Sequence, residues 1–132
     1  MLEKMIKNDE VGKFLVERTS LTKSQLDTLL ISLFNNKNLN YKTLQRDKRK
    51  VSKGSFIRTL KQAKNNVENS IYTLIILEYF SIIEENHIVD LIKIGNVLKR
   101  ISNNEPDNND MNNMLNQVSL VISDICNYKK NN

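Results

Sequence analysis

Tryptophan is missing from this 132-residue chain, which holds one cysteine, one proline and three glycines. The lone cysteine, Cys126, excludes an internal disulfide and any thiolate zinc cluster. With so little glycine and proline, turns fall to Asn, Asp and Ser, and asparagine is abundant, as at Asn35-Asn36, Asn65-Asn66, Asn103-Asn104 and Asn112-Asn113. A secretion-signal layout of basic, apolar and small residues is lacking at the start, so a cytoplasmic location is expected. Long apolar runs are lacking too. The most apolar stretch, Ile71 to Ile83, is too short to span a bilayer and contains Glu78; it reads as a buried helix, with no membrane partner. The length suits one domain with a real core, so a single domain over 1–132 is expected.

The net charge of +5 is unevenly placed. Between Lys37 and Lys64 stand ten Lys or Arg against the single acid Asp47, a local net charge of +9. Charge balances before this stretch and is net acidic after it. Positive charge concentrated in this way suits phosphate contact, because each cation that neutralises a phosphate releases condensed counterions. A solvated face, or a localisation tag around Arg46-Asp47-Lys48-Arg49-Lys50, is the plainer account, but a tag does not require the helix signals that accompany the charge.

Three helix starts recur, each a polar N-cap between apolar residues at N′ and N4: Leu21-Thr22 with Leu26, Leu39-Asn40 with Leu44, and Val51-Ser52 with Phe56. Thr22 with Gln25 completes a capping box. The first of these helices is expected over Lys23 to Phe34, with Leu26, Leu29, Leu30 and Leu33 on its apolar face, and the second over Tyr41 to Asp47. The third is long: Phe56, Leu60, Ala63, Val67, Ile71 and Leu74 form one stripe, and its apolar second half is expected to be covered by other helices. An opening helix is expected over Leu2 to Arg18. A further one starts at Asn86, and a last one, from Asp110, carries Met111, Met114, Leu115, Val118, Val121, Ile122, Ile125 and Tyr128 at near-heptad spacing. No segment alternates as a strand does. The expectation is an all-α fold: a helix-turn-helix core over 21–83, extended by N- and C-terminal helices, the latter over 86–128.

A helix-turn-helix needs a supporting helix, a short positioning helix and a recognition helix whose first turns are slim and polar enough for the major groove. Ser52 would cap the recognition helix, Gly54 and Ser55 would leave its start uncrowded, and Lys53, Arg58 and Lys61 would extend its positive face. Arg58 suits guanine, Gln62 adenine, and Thr59 a thymine methyl. Lys42, Lys48, Lys50 and Lys64 suit phosphates; Tyr41, Arg46, Arg49 and Asn65 complete the candidate surface. Solvated helix residues are the alternative for any one of these positions.

Leu21-Thr22-Lys23-Ser24-Gln25-Leu26-Asp27, then Tyr41-Lys42-Thr43-Leu44 and Val51-Ser52-Lys53-Gly54-Ser55-Phe56-Ile57-Arg58-Thr59-Leu60, resembles the helix-turn-helix of the promoter-reading fourth region of sigma factors and related small regulators, archaeal ones included. The resemblance covers about Leu21 to Ile83 and is of general type. Its second helix lacks the small inner residue usual in that family. It implies a basic promoter-binding regulator; the charge and the helix caps by themselves give the expectation of a nucleoid-associated protein that binds double-stranded DNA, and whether the transcription machinery is a further partner stays open.

Enzyme chemistry is not expected. His87, the only histidine, stands beside Glu84 and Glu85 at a helix start, as a surface or capping residue would. Asp107-Asn108-Asn109-Asp110 lacks the glycine and closing Glu of a calcium loop and reads as a solvated linker. Neither a cofactor nor a metal is expected. Cys126 is read as a small core or interface residue. An RNA-binding helical module and an adaptor with a basic face remain as rivals; exposed aromatics for base stacking are scarce in the patch, which favours DNA. Because one helix-turn-helix reads few base pairs, a homodimer is expected, built on Met114, Leu115, Val118, Val121, Ile122 and Ile125, with Val118 and Ile122 near its centre.

Overall fold

The computed structural model describes residues 1–34, 51–104 and 106–127. These form six helices and no strand, so the fold is all-α: α1 (Leu2–Ile6), α2 (Glu10–Arg18), α3 (Lys23–Phe34), α4 (Lys53–Tyr79), α5 (Glu85–Asn103) and α6 (Asn108–Ile125). The expected helix over Tyr41 to Asp47 lies outside the described residues. The chain divides into two compact units, Met1–Ile71 and Tyr72–Asn132, with the boundary inside α4.

In the first unit the expected single opening helix is two helices. The break falls at Asp9, whose extended backbone and side chain, accepting from the Gly12 amide at 2.9 Å, start α2 afresh. Aspartate at an N-cap satisfies an amide that an unbroken helix would spend on a carbonyl. A Cβ at Gly12 would stand 2.5 Å from the Asp9 carboxylate, so any larger residue there would displace the capping side chain.

The capping box forms as expected: the Thr22 hydroxyl accepts from the Gln25 amide, and the Gln25 side chain accepts from the Thr22 amide, both at 3.1 Å. The buried face of α3 is rotated from the leucine stripe expected of it. Ile31, Asp27 and Thr28 are the buried residues, while Leu33 is exposed. The two polar residues tolerate burial because they are paired. The Thr28 hydroxyl donates to the Ser24 carbonyl at 2.6 Å, and Asp27 accepts the Leu2 amide at 2.7 Å with the Met1 amino nitrogen 3.2 Å away. Leu2, Val11, Ile31, Phe56 and Ala63 complete this core.

In the second unit Ile83, Leu98, Met111 and Leu115 are buried, and α5 packs on α6. α4 stops at a Schellman turn: the Ser81 amide donates to the Glu78 carbonyl and the Ile82 amide to the Leu77 carbonyl, both at 2.8 Å, with Ser81 at φ 56°. α6 begins at Asn108, two residues before the expected start, because Asp107 is not solvated linker but an N-cap, accepting from the Asp110 amide at 2.8 Å. Cys126 is the C-cap of α6, past its last helical residue, and is exposed, so it is not a core residue.

The cover expected over the second half of α4 is also absent. Ile71, Tyr72, Ile75, Ile76, Tyr79 and Phe80 are each more than half exposed. An all-apolar helix surface predicts burial from every side, but here only the side carrying the half-buried Leu77 is covered to any extent.

Candidate nucleic-acid interface

The first half of α4 is registered by its start. The Ser52 hydroxyl accepts from the Ser55 amide at 3.1 Å, and the Phe56 amide donates to the Ser52 carbonyl at 3.0 Å, which makes Ser52 the N-cap. A cap of this kind contributes about 1 kcal/mol. Phe56, at N4, is wholly buried and Val51, at N′, half-buried, the burial a hydrophobic staple produces. Ala63, two turns on, is also wholly buried. With Phe56 and Ala63 pointing inward, the helical repeat sends the opposite face outward.

That outer face carries Gly54, Arg58, Lys61, Gln62 and Asn65, all exposed. Lys53 and Lys64 flank it, also exposed, and the space a Cβ would take at Gly54 is open. No acidic residue occurs between Lys53 and Val67. Ser55 and Thr59 lie toward the inner side and are half-buried. Of the residues singled out by sequence, Ser52, Lys53, Gly54, Ser55, Arg58, Thr59, Lys61, Gln62, Lys64 and Asn65 therefore share one short helical segment. Tyr41, Lys42, Arg46, Lys48, Arg49 and Lys50 lie outside the described residues.

The segment is held by a residue that sequence reasoning passed over. Asn66 accepts from the Ser20 hydroxyl at 2.9 Å and donates its amide to the Ser20 carbonyl at 3.1 Å and to the Gln25 side chain at 3.2 Å. It thus ties α4 to the turn between α2 and α3 and to the capping box of α3. The only sequence signal was the doublet Asn65-Asn66, in which one amide faces out and the next, 100° round the helix, faces in.

The six residues expected to form a dimer contact fall into three groups. Leu115 is buried within its own unit, Met114, Val118 and Ile125 are half-buried, and Val121 and Ile122 are exposed. His87 is half-buried in the first turn of α5, its amide donating to the Glu84 carbonyl at 3.0 Å. Among the described residues no group of three or more His, Cys, Asp or Glu side chains could hold a metal, and no helix is long and apolar enough to cross a membrane.

Comparison of the chain with protein-family models, with curated proteins and with solved structures finds no match.

Proposed function

We propose that the protein is a sequence-specific DNA-binding protein, a transcription regulator, that presents the first three turns of α4 to the major groove. One observation carries this reading: Arg58, Lys61, Gln62 and Asn65 stand exposed on one acid-free face, directly opposite the buried Phe56 and Ala63. A face of this kind is slim at its capped end and cationic along its length. It also offers a forked guanidinium and a side-chain amide, the two groups best matched to guanine and adenine edges. The amides freed at the Ser52 end suit a phosphate, and Lys53 and Lys64 flank the groove as point charges. The reading implies a cytoplasmic, nucleoid-associated protein that works beside the transcription machinery without a cofactor. The small footprint of one such helix is the reason a homodimer belongs to it.

Binding of a fluorescent DNA duplex by the full chain, followed across ionic strength, tests the electrostatic part. With about five phosphates contacted, affinity falls by more than about a hundredfold over a fourfold rise in salt. A flat response excludes a phosphate-binding role for the basic stretch. Selection from a random duplex library tests base reading. Arg58→Ala and Gln62→Ala each relax preference at one position by roughly tenfold or more, whereas Lys48→Ala or Lys50→Ala weakens all sequences alike. Unchanged preference in Arg58→Ala means that the outer face does not read bases, and stronger competition by single-stranded RNA than by duplex DNA transfers the surface to RNA.

A further inference from the structure

The acid-free, basic half of α4 is followed by a half with the opposite character. From Asn65 to Ile92 there is no Lys or Arg, while Glu68, Glu78, Glu84, Glu85 and Asp90 are acidic. Within it, Tyr72, Ile75, Ile76 and Tyr79 recur at spacings of three and four and so lie on one face. They are 69%, 55%, 51% and 79% exposed, and together they line an open groove of about 380 Å³. Phe80 extends the face, its ring meeting that of Tyr79 edge-on at 5.1 Å.

We infer that this face binds a second copy of the same chain, with the two α4 segments antiparallel about a two-fold axis between Ile75 and Ile76. The first reason is the order of the residues. Tyr72-Thr73-Leu74-Ile75-Ile76-Leu77-Glu78-Tyr79 reads the same in both directions except at Thr73 and Glu78. In a two-fold contact, whatever residue i touches on the partner is touched in return. An antiparallel pair centred on this segment therefore sets Tyr72 against the partner's Tyr79 and Ile75 against the partner's Ile76. Like sizes meet at Tyr72, Leu74, Ile75 and their counterparts, and each tyrosine keeps its hydroxyl at the wet rim while its ring covers the isoleucines.

The second reason is area. The three aromatic rings and two isoleucines, at these exposures, present on the order of 500 Å² per chain. That is as large as the largest apolar patch of a typical monomer, which is often functional, and in a symmetric pair it gives about 1,000 Å², the threshold a specific interface has to clear. The third reason is charge. An anionic lipid surface attracts apolar helix faces edged by Lys and Arg, and a nucleic acid likewise needs cations; this face has none. The contact is independent of the DNA reading, since it involves only residues of the second unit.

Sedimentation of the full chain at micromolar concentration is the first measurement, and a dimer is expected. Ile76→Asp places a charge at the dyad in both copies, so the dimer dissociates about a thousandfold more readily, while circular dichroism retains the helix content. Orientation is read with a short bis-maleimide in a Cys126→Ser background. Tyr72→Cys and Tyr79→Cys cross-link when mixed but not when either is alone. The idea is overturned by a wild-type monomer at tens of micromolar. Self-cross-linking of Tyr72→Cys, which signals parallel helices, also overturns it. So does a dimer that survives Ile76→Asp but is lost in Ile122→Asp, because the contact then belongs to α6.

Discussion

Phe56→Ala is expected to cost about 3–5 kcal/mol of stability, the range for emptying a wholly buried phenylalanine site. Phe56 has no exposed surface and sits one turn beyond the Ser52 cap, so its loss removes the inner anchor of the turns that carry Arg58 and Lys61. Urea unfolding should show a lower midpoint with unchanged slope, and DNA affinity should fall in the same variant because the basic face loses its register. Ile57→Ala is the control. Ile57 is 49% exposed, and its truncation should cost less than about 1 kcal/mol. Equal losses in the two variants would mean that Phe56 does not anchor α4.

The same residue shows why much of the helical layout could be read in advance. A polar cap with apolar residues at N′ and N4 fixes both where a helix starts and which face turns inward. Thr22 and Ser52 each satisfy that pattern, and both helix starts stand where the spacing put them. Once Phe56 was inward, Arg58, Lys61, Gln62 and Asn65 had to be outward. Asp9 was legible in principle, as an Asn-Asp pair inside an amphipathic pattern, but the apolar stripe on either side outweighed it. Ser81 was not: a left-handed residue after a helix is ordinarily glycine, and a serine there leaves no signal.

Where the reading failed, the determinants lie far apart in the chain. The leucine stripe of α3 assumed that apolar residues face in and polar ones out, yet Asp27 and Thr28 are buried and Leu33 is not. Thr28 is satisfied within its own helix, which a sequence can suggest. Asp27 and Asn66 are satisfied by groups 25 and 46 residues away, which local periodicity cannot suggest. The exposed second half of α4 failed for another reason. Hydrophobicity states that a surface needs cover, but not whether its own chain or another molecule supplies it.

Asp27→Ala is accordingly expected to be the most costly polar substitution in the first unit, at about 3 kcal/mol. Asp27 is 1% exposed, and its Oδ1 accepts the Leu2 amide at 2.7 Å with the Met1 amino nitrogen at 3.2 Å. Alanine removes the acceptor and strands a buried donor, so the loss includes both the charge-assisted hydrogen bond and the desolvation of the orphaned amide. Asp27→Asn separates these terms. It keeps an oxygen for the Leu2 amide and loses only the charge, so it should cost about 1 kcal/mol. The effect should also be local. α1 is five residues long and packs on α2 and α3, too short to persist as a helix on its own. When Asp27 no longer holds Leu2, tryptic cleavage after Lys4 and Lys7 should accelerate, while Lys61 and Lys64 in α4 stay protected. Simultaneous acceleration at all four sites would show that Asp27 supports the whole unit and not the docking of α1. A loss in Asp27→Asn equal to that in Asp27→Ala would show that the charge, and not the hydrogen bond to Leu2, sets the cost.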